Sequence, residues 1–202
     1  MTRDVRVGRV LVAALQQAIA EELPTRTEFY DHWLGPDGRR DGTLGQAPMT
    51  AVLGFLRTEG PAYDRVVESA GRMVAAWTWA DASSWARVWV PRLPRWWRAR
   101  AVCSRVKAVV ADTCPASVVK TTVSRGVVTV EVKESVFCGA REMPPAPLCG
   151  FYSALVVAMF TAAGLVVSGR MERCRARAGA NPDGPVEGKQ TCVGTFAVSL
   201  AP

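Results

Sequence analysis

The chain has 202 residues, 49% apolar and 21% charged, enough to bury a sizeable core and outside the disordered, collagen-like and coiled-coil classes. Its 25 basic and 18 acidic residues leave a net charge of +7, and all but four of the basic residues are arginine. His32 is the single histidine, so one chain cannot build a multi-histidine metal site, and Ser-His-Asp or Cys-His chemistry would rest on that residue alone. Hydrolase readings lose ground on that count.

In chain order, the opening MTRDVRVGRVLVAALQQAIAEEL lacks a secretory pattern, because Gln16 and Gln17 interrupt its apolar part and Glu21 and Glu22 follow. It reads as an amphipathic helix of a cytoplasmic protein, with Val7, Val10, Leu11, Ala14, Leu15 and Ala18 at helical spacing. Pro24 ends it. An aromatic stretch with Phe29, Tyr30, His32 and Trp33 precedes a Gly-, Asp- and Arg-rich loop over Leu34–Gln46. Helices are predicted over Met49–Thr58, from Gly60-Pro61 to Trp79, over Ala82–Val90 and over Arg95–Ala111. Proline at a helix start costs nothing, since its missing donor would be unpaired there anyway.

After Cys114-Pro115 the period changes to two. Ser117–Val123 and Val127–Val136 form a hairpin around Ser124-Arg125-Gly126. The Pro-rich segment REMPPAP leads to a helix over Leu148–Ala163 that is apolar round most of its circumference and therefore buried. Gly164 closes it. A strand over Leu165–Ala176, a polar loop over Ala178–Gln190 and a strand over Thr191–Leu200 complete the chain. The prediction is an α+β fold: a helical region, 1–114, covering a four-stranded antiparallel sheet in the order strand-strand-helix-strand-strand, 115–202, packed as one unit.

Two stretches raise the question of a membrane. Pro91–Arg100, PRLPRWWRAR, reads first as a helix start with buried tryptophans and solvated arginines. The same mixture suits an anionic membrane interface or stacking on nucleic acid, but no nucleic-acid module accompanies it. Phe151–Val167 holds 17 uncharged residues, the short limit of a membrane span. A buried helix followed by a strand explains it equally well.

Four of the six cysteines fall in the second half. Residues late in one strand and early in the next face each other across a connecting loop, so Cys174 and Cys192 approach. Glu172 shares a strand face with Cys174, and Cys149 heads the buried helix, where the macrodipole favours thiolate. Cys149, Glu172, Cys174 and Cys192 make a tetrahedral zinc set with no open position. Plain burial of the thiols and a Cys174–Cys192 disulfide remain alternatives. Cys103 and Cys114 are assigned to the core.

CGFYSALVVAMFTAAGL, MERCRARAG and TCVGTF resemble the 4-vinyl reductase, or hydrocarbon-binding, domain family over about Ser117–Leu200, and the helix-rich sequence before it resembles the bacteriochlorophyll-biosynthesis member. The resemblance implies zinc on Cys149, Glu172, Cys174 and Cys192. The sequence departs from the family: 17 residues separate Cys174 from Cys192, and Glu172 stands one residue too close to Cys174, so Cys138 is the alternative fourth ligand. The resemblance also implies an apolar ligand, an aromatic hydrocarbon or a tetrapyrrole, between helices and sheet. Phe29, Tyr30, His32, Trp33, Phe55, Tyr63, Trp77, Phe151 and Tyr152 are its candidate contacts, His32 as an axial or polar one.

Three functions follow: a non-catalytic carrier or accessory protein for a hydrophobic small molecule, a vinyl-group reductase, and a ligand-sensing regulatory module. The chain has no G-x-G-x-x-G, and no nicotinamide or flavin site is seen, so a reductase would need a partner for its electrons. The carrier is preferred over the enzyme. Membrane-surface contact and a homodimer stay open, and nucleic acid is disfavoured.

Overall fold

Apolar side chains at every third or fourth position fold the first half into helices. In the computed structural model, which describes residues 6–35, 43–138, 147–174 and 191–200, these are α1 (Arg9–Glu22), α2 (Thr27–Leu34), α3 (Gln46–Thr58), α4 (Pro61–Ala80), α5 (Ser84–Trp89) and α6 (Arg95–Thr113). The aromatic stretch that the sequence left without an element is α2, with Tyr30 and Leu34 one turn apart on its buried side. The first helix starts later than predicted. Val7 belongs to β1 (Arg6–Val7), paired with Leu44 of β2 (Leu44–Gly45), and the Gly8 N–H is donated to the Thr113 carbonyl at 2.9 Å. A side chain at Gly8 would collide with the Asp112 carbonyl.

The second half alternates in and out with period two. The strands β3 (Val118–Ser124), β4 (Val127–Lys133), β5 (Leu165–Arg173) and β6 (Thr191–Leu200), with the helix α7 (Gly150–Ala162) between β4 and β5, form an antiparallel sheet in the order β3-β4-β6-β5. This is the α+β architecture that the sequence predicts. Ser124 pairs with Val127, so the hairpin turn is the two residues Arg125 and Gly126. Both have positive φ, 48° and 79°, as a type I′ turn requires.

Val128, Val130, Val132, Cys192 and Phe196 line the buried face of the sheet. α7 lies on that face with α4 behind it, and Phe151, Tyr152, Leu155, Val156, Met159 and Phe160 are all buried. At about 1.5–3 kcal/mol each, their burial contributes roughly 10 kcal/mol or more before entropy is subtracted. Gly71 permits the crossing of α4 and α7, because a Cβ there would meet the Phe151 carbonyl. The uncharged stretch is thus a core helix and a strand. α7 is about 20 Å long, short of the ~30 Å of a bilayer core, and no helix among the described residues is long and apolar enough to cross a membrane. Residues 141–146 of the REMPPAP segment, the Ala178–Gln190 loop and residues 36–42 of the Leu34–Gln46 loop lie outside the described residues.

Candidate metal centre

Cys138, Cys149, Cys174 and Cys192 converge on one point, all four buried, with their Sγ atoms within 4.8 Å of one another. Each arrives on a different element. Cys138 ends a 3₁₀ turn after β4. Cys149 caps the N-terminus of α7. Cys174 follows β5 directly, and Cys192 stands opposite Val132 near the start of β6. Sγ separations are 3.0 Å for Cys138–Cys149, 3.1 Å for Cys138–Cys192 and for Cys149–Cys192, 3.4 Å for Cys138–Cys174 and 3.7 Å for Cys149–Cys174. A disulfide needs about 2.05 Å, and all six cysteines are free. A ZnS4 tetrahedron with Zn–S bonds of about 2.3 Å has edges of about 3.8 Å, so the thiols need open by only tenths of an ångström to hold an ion.

The electrostatics ask for a cation. Sulfur hydrogen bonds, that with Cys149 foremost, hold the Cys138 thiol below the ordinary thiol range. Bonds with Cys138, Cys149 and Cys192 do the same for Cys174. Cys149 and Cys192 are pushed up, first by their bonds to Cys138. A divalent ion would stabilise all four as thiolates together.

Two residues of the helical cover fix the turns that carry the thiols. The Arg57 guanidinium of α3 donates to the Phe137 carbonyl at 2.9 Å, next to Cys138. The Tyr63 hydroxyl of α4 donates to the Leu148 carbonyl at 3.0 Å, next to Cys149. The guanidinium also lies 6.0 Å from the Tyr63 ring centroid. Sequence reasoning missed Arg57 and placed Tyr63 in a ligand pocket; the partners lie 80 and 85 residues away, so no local signal exists.

Glu172 is outside the cluster. A bulge between Met171 and Arg173 shifts the β5–β6 register, so Cys174 follows Met171 to the buried face while Glu172 is exposed and accepts the Thr195 hydroxyl at 3.3 Å. Cys138 stands where the sequence put the carboxylate first.

The aromatic candidates form two groups. Phe29, Tyr30, His32, Trp33 and Phe55 gather at α2 and α3. Ring centroids lie 5.1 Å apart for Phe29–Tyr30, 5.4 Å for Phe29–Phe55, 5.8 Å for His32–Trp33 and 6.3 Å for Trp33–Phe55. Phe29 and Phe55 are 45% and 43% exposed, and His32 is exposed. Phe151 and Tyr152 are core residues packed on Phe137, the two phenylalanines stacked at 4.8 Å. Trp77 is half-buried against the core.

No family model matches the chain, and no curated protein matches its sequence. Solved structures share its fold, among them three of H-NOX proteins. An H-NOX protein from S. oneidensis in the Fe(II)NO ligation state has TM-score 0.54 at 9% identity, covering 95% of this chain and 99% of its own. The H-NOX domain from Shewanella oneidensis in the Fe(II)CO ligation state has TM-score 0.56 at 9% identity, covering 96% and 98%. A mutant S. oneidensis H-NOX protein in the Fe(II) state has TM-score 0.53 at 9% identity, covering 96% and 97%. The likeness is one of fold. It overturns the resemblance to the 4-vinyl reductase family.

Proposed function

We propose that the chain is a ligand-sensing module whose sheet end is clamped by a structural zinc ion on Cys138, Cys149, Cys174 and Cys192. The observation that carries it is the convergence of four buried sulfurs from four separate segments. A tetrahedral S4 set suits zinc or an iron–sulfur centre, and a filled thiolate shell leaves no open position for catalysis. Sensing is favoured over carriage by the fold, shared almost end to end with proteins described in Fe(II)NO and Fe(II)CO ligation states.

Iron ligated by histidine in the interior does not fit this chain, because its one imidazole, His32, is exposed on α2. The small-molecule face we assign is instead the aromatic group of α2 and α3. Phenylalanines exposed as Phe29 and Phe55 are suit an apolar or aromatic ligand.

Elemental analysis of the purified chain tests the clamp. About one zinc per chain is expected, lost on Cys138→Ser and kept in Glu172→Gln; iron in its place, or no metal, overturns it. Quenching of Trp33 fluorescence by naphthalene or a porphyrin tests the ligand face, with loss expected in Phe29→Ala/Phe55→Ala. Absence of quenching in the unaltered chain overturns that assignment and leaves the clamp standing.

A further inference from the structure

The excess charge is confined to one stretch. No acidic residue lies between Asp81 and Asp112, where six arginines and Lys107 fall; 25 basic residues less these 7 leave 18, which balance the 18 acidic ones. The rest of the chain is formally neutral, and the whole +7 sits on α5, α6 and the turn between them.

Some of these arginines brace the fold. Arg98 donates to the carbonyls of Gly164 and Leu93, both at 3.1 Å, and Arg105 donates to the Thr78 carbonyl at 2.9 Å. Stability alone would not choose this arrangement. Arg95 and Arg98 occupy the start of α6, where the macrodipole disfavours cations, and its first turn has no acidic residue. Arg87 and Arg100 are exposed. Beside them Trp89, Trp96 and Trp97 are 51%, 52% and 52% exposed, a large apolar area to leave in water.

We propose that this corner docks on an anionic phospholipid surface. Arginine with half-exposed tryptophan is the composition of the headgroup layer, where the indole is amphipathic and the guanidinium pairs with phosphate. The ring geometry favours lipid over nucleic acid. Trp96 and Trp97 contact each other with centroids 4.2 Å apart and planes tilted by 34°, and the Arg100 guanidinium lies 5.6 Å from the Trp96 centroid. A base stacks on an open ring face, and Trp96 already has two neighbours. The contact is peripheral, since no described helix spans a bilayer.

The test is co-sedimentation of the full chain with phosphatidylcholine vesicles, with and without about a third phosphatidylglycerol, at about 0.1 and 0.5 M salt. Binding is expected only to the anionic vesicles and only at low salt, with a blue shift of tryptophan emission. Each arginine near such a surface is worth about fivefold in partitioning, so Arg87→Gln/Arg100→Gln should weaken binding roughly 30-fold. Trp96→Ser/Trp97→Ser should lose the blue shift while keeping its circular dichroism, and Lys120→Gln/Lys133→Gln on the sheet should bind as the unaltered chain does. Equal binding to uncharged vesicles, binding to a single-stranded oligonucleotide but not to vesicles, no binding to either, or an equal loss in the lysine pair would each overturn the proposal.

Discussion

The two ends of the four-stranded sheet gather their residues in opposite ways. At one end, Cys138, Cys149, Cys174 and Cys192 come from four segments and are buried together. At the other, Trp89, Trp96, Trp97 and their arginines come from one run of the chain and face water. α7 joins the two, starting beside Cys149 and finishing at Gly164, whose carbonyl takes the Arg98 guanidinium. A site assembled from distant segments contributes to stability by closing the chain on itself, whereas a site made by neighbours in sequence can change without disturbing the core.

Removing the clamp is the strongest way to sharpen that contrast. Cys149→Ser/Cys192→Ser, or a chelator, should lower the Tm by about 10 °C or more, taking several kcal/mol for the metal and about 2–4 °C per kcal/mol at this size. Trp96→Ser/Trp97→Ser should move it by no more than about 2 °C. Calorimetry checks both, and equal shifts would erase the distinction. Gly71→Ala wedges α4 away from the first turn of α7 and should cost about 1–3 kcal/mol in urea unfolding. Tyr63→Phe removes the bond to the Leu148 carbonyl. It should cost about 1 kcal/mol and weaken zinc binding roughly tenfold in a competition titration.

Alkaline pH should act on the cover and the cysteine end alone, because no tyrosine lies at the arginine end. Burial, first, and then Glu59 push the Tyr30 phenol up to about 12; burial also raises Tyr63 and Tyr152. The fold therefore prefers the neutral phenols. Their contribution is complete below the ordinary tyrosine value of about 10 and is lost as pH climbs from there through about 12. Tyrosinate absorbance should be missing near pH 10 and appear with unfolding. The smallest effect belongs to Glu172→Gln, which should change stability by less than about 0.5 kcal/mol and leave the metal content intact.

Much of this was legible in the sequence. Helical and two-residue periods located α1, α3, α4, α6 and all four strands of the main sheet, because local burial patterns dictate those elements. Three of the four clustered cysteines stood first in the proposed ligand set, since hairpin logic alone brings Cys174 towards Cys192. Glu172 held the fourth place, with Cys138 as the alternative, because alternation was carried straight through a strand that contains a bulge, and nothing between Met171 and Cys174 announces one. Arg57 and Tyr63 act through main-chain carbonyls, which leave no imprint on side-chain pattern. The tryptophans at Pro91–Arg100 were expected inside because large rings usually are, yet Trp96 and Trp97 lie outside.

The placement of charge at one end of α7 has a consequence for how the molecule moves. The excess positive charge sits on α5, α6 and the turn between them, and the four cysteines lie at the far end of α7, about 20 Å from Gly164 by the length of that helix. The charge of the protein is therefore lopsided. In the field of a negatively charged surface such a body turns before it touches, so it arrives with its tryptophans leading and its cysteine end pointing outward.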